Sequence, residues 1–275
     1  MKFAYFVPVI LISMVAMAGA APYISIVEPY NATLYNNGTI YLGKVGPGQP
    51  FYITAVSATA NASGTIIQRG WNQMYATGLP GSWVVSNSSL YSKYLSVKVT
   101  PYANATNGTY RFTITAENFG NYSKLGTIEF TAYVNVTPNV FSLSVSPTNI
   151  STGPGQPTNI EVTINNTGVS DAPFYLTALG LPAWNTSTEV IALHNTVRSF
   201  SYPVYEDEPG LYNARMYVSS VASSLVHKES NINLLVKASV PNDYSAIGSG
   251  SVAFPIIYEP AYAVMYLIRL LLSYV

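Results

Sequence analysis

The pentapeptide Gly-Pro-Gly-Gln-Pro at 46–50 occurs a second time, unchanged, at 153–157, and each copy directly precedes a stretch that alternates like a β-strand. Two more motifs repeat in the same order further along the chain. They are LPGSW at 79–83 with LPAW at 181–184, and NGTYRF at 107–112 with PGLYNA at 209–214. Three landmarks in one order at a nearly constant offset predict that the chain contains two copies of one structural unit.

Each copy has the pattern of short strands separated by turns rich in Gly, Pro, Asn and Ser. The stretch 110–116 is the clearest strand, because apolar residues alternate in it with an arginine and two threonines. A copy of about a hundred residues with about seven strands is typical of an immunoglobulin-like sandwich. We therefore predict an all-β protein with tandem sandwiches at 21–140 and 141–240. The longer spacing in the first copy predicts an insertion between Pro50 and Leu79.

The order of landmarks also resembles a known family. It consists of Pro-Gly before a strand, an Asn-x-Gly turn as at Asn166-Thr167-Gly168, an LP-x-W motif, and a Gly-x-Tyr that opens an alternating strand. This order resembles the Ig-like module found beside alpha-galactosidases and in tandem arrays on archaeal and bacterial surface proteins. The second copy matches better, because the first has no clean Asn-x-Gly turn. The resemblance implies an accessory or structural module without catalytic residues.

Composition excludes several classes of function. The chain has no Cys, so each unit has to be stabilised by its own hydrophobic core. Charged residues are 9% of the chain, with 12 basic and 12 acidic, which gives no electrostatic attraction to nucleic acid. His194 and His227 are the only histidines, and no motif supplies an oriented nucleophile and base. Glu206-Asp207-Glu208 could offer oxygens to Ca²⁺ but precedes a Pro-Gly turn. We predict no enzyme, no cofactor and no metal.

N-glycosylation sequons are more frequent than the composition predicts by chance. Their asparagines are Asn31, Asn37, Asn61, Asn87, Asn104, Asn107, Asn121, Asn135, Asn149, Asn165 and Asn185. All of them precede position 241, in the part predicted to lie outside the cell. The alternative is that Asn and Thr are simply turn and strand residues of a polar β surface.

The tryptophans separate into two kinds. Trp83 and Trp184 occupy matched positions in the two copies, which indicates core or core-edge packing. Trp71 lies in the insertion and has no counterpart. Trp71 and Tyr75, beside amide side chains, form a possible sugar-binding pair, and the alternative is that Trp71 packs onto its own domain.

The two ends of the chain predict export and a membrane. Residues 1–20 have one Lys, an apolar run and Ala18-Gly19-Ala20, which is typical of a signal peptide cleaved before Ala21. Residues 241–252 have the composition of a Gly/Ser tether, and 253–275 predict a hydrophobic, membrane-associated helix.

The predicted tail helix has one polar stripe, formed by Glu259, Tyr262, Tyr266, Arg269 and Ser273. An isolated arginine within an apolar helix is costly, so we predict that tails associate along this stripe. Residues 261–275 would rise about 22 Å, which is short of the roughly 30 Å hydrocarbon core. Three placements therefore stay open: the tail spans the bilayer, lies on it, or docks on protein.

Taken together, these patterns predict a non-enzymatic, glycosylated cell-surface protein, a stalk or surface-layer component of archaeal type, anchored by its C-terminal helix. The expected partners are membrane lipid, further copies or other surface proteins, and glycans, but no nucleic acid. Two alternatives remain: a carbohydrate-binding accessory module that uses Trp71, and a subunit of a secreted filament that donates its tail as a strand to another copy.

Overall fold

The computed structural model describes residues 22–57, 59–60, 66–67, 70–118, 126–184 and 186–237. The chain divides into two compact units between Thr137 and Pro138, where the sequence predicts a boundary at 140/141. Every regular element within the described ranges is a β-strand, so the predicted all-β class is confirmed. The predicted signal peptide (1–20), tether (241–252) and C-terminal helix (253–275) lie outside the described residues.

The first unit forms two main sheets. Its strands are β1 (Tyr23–Glu28), β2 (Ala32–Tyr35), β3 (Gly38–Val45), β4 (Phe51–Val56), β5 (Thr59–Ala60), β6 (Ile66–Ile67), β7 (Gln73–Thr77), β8 (Val84–Ser86), β9 (Tyr94–Thr100), β10 (Gly108–Glu117) and β11 (Thr127–Val136). The sheet orders are β2-β1-β4-β9-β8 and β3-β11-β10-β7. Strands β5 and β6 pair only with each other, in the interval where the sequence predicts an insertion.

The second unit also forms two sheets. Its strands are β12 (Phe141–Ser146), β13 (Asn149–Thr152), β14 (Thr158–Asn166), β15 (Ala172–Leu179), β16 (Ser187–Ala192), β17 (Thr196–Val204), β18 (Gly210–Ser220) and β19 (His227–Val236). The sheet orders are β12-β14-β17 and β13-β19-β18-β15-β16.

A common set of strands defines the class of each unit. Strands β1, β3, β4, β7, β9, β10 and β11 correspond to β12, β13, β14, β15, β17, β18 and β19. In each unit an early strand, β3 or β13, pairs parallel with the last strand, while the other pairings are antiparallel. Two sheets with this strand order form an immunoglobulin-like sandwich.

The two units differ at the edges of their smaller common sheet. In the first unit β2 covers the outer edge of β1, and β8 covers the outer edge of β9. In the second unit the strand after the LP motif, β16, joins β15 in the opposite sheet instead. Within the described part of the chain, β12 and β17 are therefore edge strands, although their counterparts in the first unit are not.

The core of each unit comes from the alternation that the sequence predicts. In β11 the even positions Ile128, Phe130 and Ala132 are buried, while the intervening residues face outward. Aromatic rings from opposite sheets meet in both cores, with ring centroids 6.3 Å apart for Phe51 and Phe112. Burying a phenylalanine side chain stabilises a fold by about 1.5–3 kcal/mol. A slip of one residue in register would expose these rings, so the alternation excludes odd shifts of register.

Candidate functional surface

The repeated pentapeptide is a tight turn. In the first copy the Gln49 amide donates to the Gly46 carbonyl at 3.1 Å, and Gly48 has a φ of +71°. Proline at the second position and a glycine with positive φ at the third define a type II turn. The buried Gln49 side chain accepts a hydrogen bond from the Gly46 amide at 2.9 Å. The motif is therefore a structural corner.

The second copy repeats this geometry. Gln156 donates its amide to the Gly153 carbonyl at 3.1 Å, and Gly155 has a φ of +66°. A Cβ at Gly153 would lie 2.5 Å from Gln156 Oε1, so any side chain there would have to displace the buried Gln156 amide. The Gly155 amide donates to the Glu206 carbonyl at 2.8 Å, and in the first unit Gly48 donates to Tyr102 at 3.2 Å. In each unit the turn is thus tied to the loop before the Gly-x-Tyr strand.

The Gly-x-Tyr motifs form tyrosine corners. The Tyr110 hydroxyl donates to the Thr106 carbonyl at 2.9 Å, and the Tyr212 hydroxyl donates to the Glu208 carbonyl at 3.0 Å. A tyrosine at the start of this strand, bonded to backbone a few residues upstream, is a hallmark of immunoglobulin-like sandwiches. Desolvation, with the carboxylates of the acidic run adding to it, raises the pKa of the Tyr212 hydroxyl. Through these hydrogen bonds the two tyrosines have a structural role, since each joins the start of its strand to the preceding loop.

The two matched tryptophans pack as predicted from the repeat. Trp83 is buried, and its ring lies 4.9 Å from that of Tyr110. Trp184 packs against the second core, with its ring 4.8 Å from that of Tyr205. The LP-x-W motif is therefore part of each sandwich and leaves no exposed indole.

The acidic run does not form a metal site within the described residues. Glu206 is only 2% exposed, and its Oε1 accepts a hydrogen bond from the Ala183 amide at 2.9 Å. The described ranges contain no group of three or more His, Asp or Glu side chains placed to hold an ion. Glu206 instead ties its loop to the LP-x-W motif.

The two histidines make separate local contacts. His194 donates its amide to Asp171 Oδ1 at 2.8 Å, and its Nδ1 lies 2.7 Å from the same oxygen. Partial desolvation raises the pKa of Asp171, but these two hydrogen bonds and the histidine charge outweigh it, so the pKa is lowered overall. His227 Nδ1 lies 2.8 Å from the Ser224 carbonyl, and its ring stacks on Tyr217. Each histidine therefore orders a loop.

The two residues of the possible sugar-binding pair, Trp71 and Tyr75, differ in burial. Trp71 is 1% exposed, and its indole nitrogen donates to the Tyr23 carbonyl at 3.3 Å. Tyr75 is half-buried on β7, opposite Thr115 of β10. A sugar ring would have to displace core side chains to reach the indole, so the geometry favours the packing alternative for Trp71.

The sequons that the structure describes reach solvent. Asn31, Asn37, Asn87, Asn104, Asn107 and Asn149 are exposed, and Asn135 and Asn165 are half-buried on strands β11 and β14. Asn61, Asn121 and Asn185 lie outside the described residues. The accessible positions are what attachment of sugar requires.

The predicted association stripe of the tail, Glu259, Tyr262, Tyr266, Arg269 and Ser273, also lies outside the described residues. Within the described ranges, no helix has the length and apolar character needed to cross a membrane.

Comparison with solved structures finds tandem Ig-like domains, all at low similarity to this chain. No family model matches the chain, and no curated protein sequence matches it either. A chimeric titin Z1Z2 carrying a decorin peptide is 12% identical, with 80% of this chain and 100% of that chain covered and a TM-score of 0.33. The titin tandem A164-A165 is 10% identical over 81% of this chain and 100% of that chain, with a TM-score of 0.26.

The adhesin InvE of Yersinia pseudotuberculosis is 12% identical over 70% of this chain, with a TM-score of 0.27, and the alignment spans 56% of the adhesin chain. At such scores the assignment to the Ig-like class depends on the strand order and the two tyrosine corners. The closer resemblance to modules beside alpha-galactosidases stays a prediction.

Proposed function

We propose that this chain is a non-enzymatic, glycosylated structural protein of the cell surface, a stalk or surface-layer component, held at the membrane by residues 253–275. The observation that carries the proposal is the position of the sequons. Each described sequon asparagine is exposed or half-buried, on both units, and none lies in a core. The motifs that the two units share, the type II turn and the tyrosine corner, serve folding and leave the surface to the glycans.

Intact mass of the native protein tests the glycan part of this proposal. We expect a mass above that of the polypeptide, which falls to the polypeptide value after deglycosylation. Asn37→Gln should remove one glycan, while Asn231→Gln, at an exposed asparagine outside any sequon, should remove none. A native mass equal to that of the bare chain would refute glycosylation.

Fractionation tests the anchor. The full-length protein should require detergent for release from membranes, whereas a version that ends at Gly250 should be soluble without it. Full-length protein that is released without detergent would contradict the anchor.

The tail stripe adds a proposal about association. We propose that tails pair through Glu259, Tyr262, Tyr266, Arg269 and Ser273, because a partner would neutralise the cost of Arg269 in lipid. Arg269→Leu should then abolish cross-linked oligomers while membrane retention persists. Unchanged cross-linking would show that the stripe has no such role.

A filament subunit is the second candidate function, and the open edges of the β12-β14-β17 sheet favour it. Strand β12 has the sequence FSLSVS, without the charge or proline that usually protects an edge. A tail strand from another copy, drawn from residues 251–275, would extend this sheet. In that case full-length protein should sediment as polymers from detergent-free medium, and the version ending at Gly250 should not. Monomers in both samples would eliminate this candidate.

A further inference from the structure

Three neighbouring strands of the first unit place Tyr41, Tyr133 and Arg111 side by side on the outer face of one sheet. The register pairs Tyr41 of β3 with Tyr133 of β11, and Tyr133 with Arg111 of β10. The neighbours of Tyr41 and of Tyr133 along their strands are buried, and Arg111 lies between the half-buried Tyr110 and the buried Phe112. Because successive side chains of a strand point to opposite faces, all three residues of the row point outward. We call these three residues the Tyr-Tyr-Arg row.

The two tyrosines of the row form a stacked pair that solvent can reach. Their ring centroids are 5.2 Å apart with planes inclined by 17°, and Tyr41 is 69% exposed. This separation is close to the strand spacing of about 4.8 Å, so the rings project side by side from the sheet. Strand β3 is the edge of its sheet, and the Tyr30 hydroxyl donates to the Tyr41 carbonyl at 2.9 Å, so a further exposed tyrosine lies beside the pair.

Arg111 gives the row its charge. The guanidinium is exposed, and within the described ranges it has no carboxylate within 4.0 Å and does not lie over an aromatic ring. Lys44 lies on the same face and pairs with Asn135, two register positions beyond the row. Glu129, the closest acid along β11, is four residues from Tyr133, a distance of about 13 Å. Among the described residues of β3, β10 and β11, this end of the face therefore carries two basic side chains and no acidic one.

The second unit shows that the sandwich does not require these residues. Its equivalent positions hold Asn149, Asn233 and Asn213, in the same register on β13, β19 and β18. Asn233 Nδ2 donates to Asn149 Oδ1 at 2.8 Å, so two of the three side chains at these positions form a hydrogen bond with each other. Two stacked tyrosines beside an unpaired arginine are thus a feature of the first unit alone.

We propose that the Tyr-Tyr-Arg row binds an acidic polysaccharide, a chain of uronate sugars. Arginine matches a carboxylate with two parallel N–H donors, and phenol rings offer an apolar face together with a hydroxyl for sugar contact. Tyrosine and arginine are also the residues that most often dominate binding energy at interfaces. The positive end of the face selects a carboxylated chain over a neutral one. This role goes beyond the structural function proposed above, because a stalk needs no ligand.

Oligogalacturonate and a neutral galactan of the same length are suitable probes. The native full-length protein and its Asn135→Gln variant, which lacks the sequon on the same face, are both kept in neutral detergent. Calorimetry should show binding of oligogalacturonate that weakens with added salt, and binding of galactan at least tenfold weaker. Failure to bind oligogalacturonate, or equal binding of both probes, would overturn the proposal.

Matched variants locate the site. Arg111→Gln should weaken oligogalacturonate binding at least tenfold, whereas Arg215→Gln, which removes an arginine paired with Glu229 in the second unit, should not. Tyr41→Asn with Tyr133→Asn installs the residues of the second unit and should also reduce binding at least tenfold, with an unchanged unfolding transition. Unaltered binding in Arg111→Gln or in the double variant would place the ligand elsewhere and refute the proposal.

Discussion

At the scale of single residues, the repeated pentapeptide works because two glycines satisfy different constraints. Gly153 is favoured by space, since a Cβ there would have to displace the end of the Gln156 side chain. Gly155 is required by backbone conformation, since its φ is +66° while a Cβ would have room. The two requirements can be separated by substitution.

We expect Gly155→Ala to lower the free energy of unfolding by about 1 kcal/mol, the cost of holding an L-residue in the left-handed region. Gly155→Asn should cost less, because asparagine tolerates this region. Gly81→Ala is the matched control, with open space and no positive φ. Urea denaturation followed by fluorescence measures all three, and equal stability of Gly155→Ala and Gly81→Ala would contradict the turn assignment.

The contact between Asp171 and His194 predicts a pH effect. The folded pKa of Asp171 lies below 3.8, the ordinary value for an aspartate, so the stabilisation is complete above that value and is lost as the pH falls through the folded pKa. The difference in unfolding free energy between wild type and Asp171→Asn should therefore shrink between about pH 5 and about pH 2. Glu189→Gln, at an exposed strand position, provides the control. A difference that grows towards low pH would show that this sign is wrong.

At the scale of elements, the tyrosine corners join a strand to the loop before it. Tyr212→Phe removes only the hydroxyl that donates to Glu208, and Tyr110→Phe removes its counterpart at Thr106. We expect each variant to lower the unfolding free energy of its own unit by about 0.5–1.5 kcal/mol. Thermal unfolding of both variants measures the loss. Tyr217→Phe is the control, since this half-buried tyrosine stands in the middle of β18, and a loss as large there would deny the corner a special role.

Strand edges belong to the same scale, and they show how two units that share sequence motifs differ in strand pairing. The stretch after the LP motif pairs with β9 in the first unit, as β8, but with β15 in the second, as β16. Both are short segments whose own alternation is compatible with either sheet. Within the described residues the unused edge, on β7 in the first unit and on β17 in the second, stays free, so edge availability alone does not determine their destination.

At the scale of the whole molecule, we expect each unit to fold by itself. Among the described residues, the second core consists of residues from Val140 to Val236. We expect residues 138–237 alone to give a cooperative unfolding transition and dispersed amide signals in NMR. The same stretch with Phe174→Ala, which empties a fully buried ring position, should lose about 3–5 kcal/mol or fail to fold. A non-cooperative transition for 138–237 itself would mean that the unit depends on the rest of the chain.

Features with local causes can be predicted from the amino-acid sequence. Period-two alternation, the Pro-Gly turn chemistry and the duplicated landmarks predict an all-β protein of two Ig-like units, because each depends only on residues close together in the chain. The residues of the candidate site could not be predicted in this way. For Trp71 the sequence leaves two interpretations, sugar binding and packing onto its own domain, and the structure favours packing, since the indole is 1% exposed and donates to the Tyr23 carbonyl.

Contacts between residues that are distant in the sequence depend on the tertiary fold. Tyr41 and Tyr133 stack because β3 pairs parallel with β11, a contact between strands that are far apart in the sequence. No local pattern encodes such a pairing, since the free energy that selects it comes from closing the whole core, and many registers satisfy the alternation of any one strand. For the same reason only the folded chain places Arg111 beside the stacked tyrosines in the first unit, and three asparagines at the equivalent positions of the second.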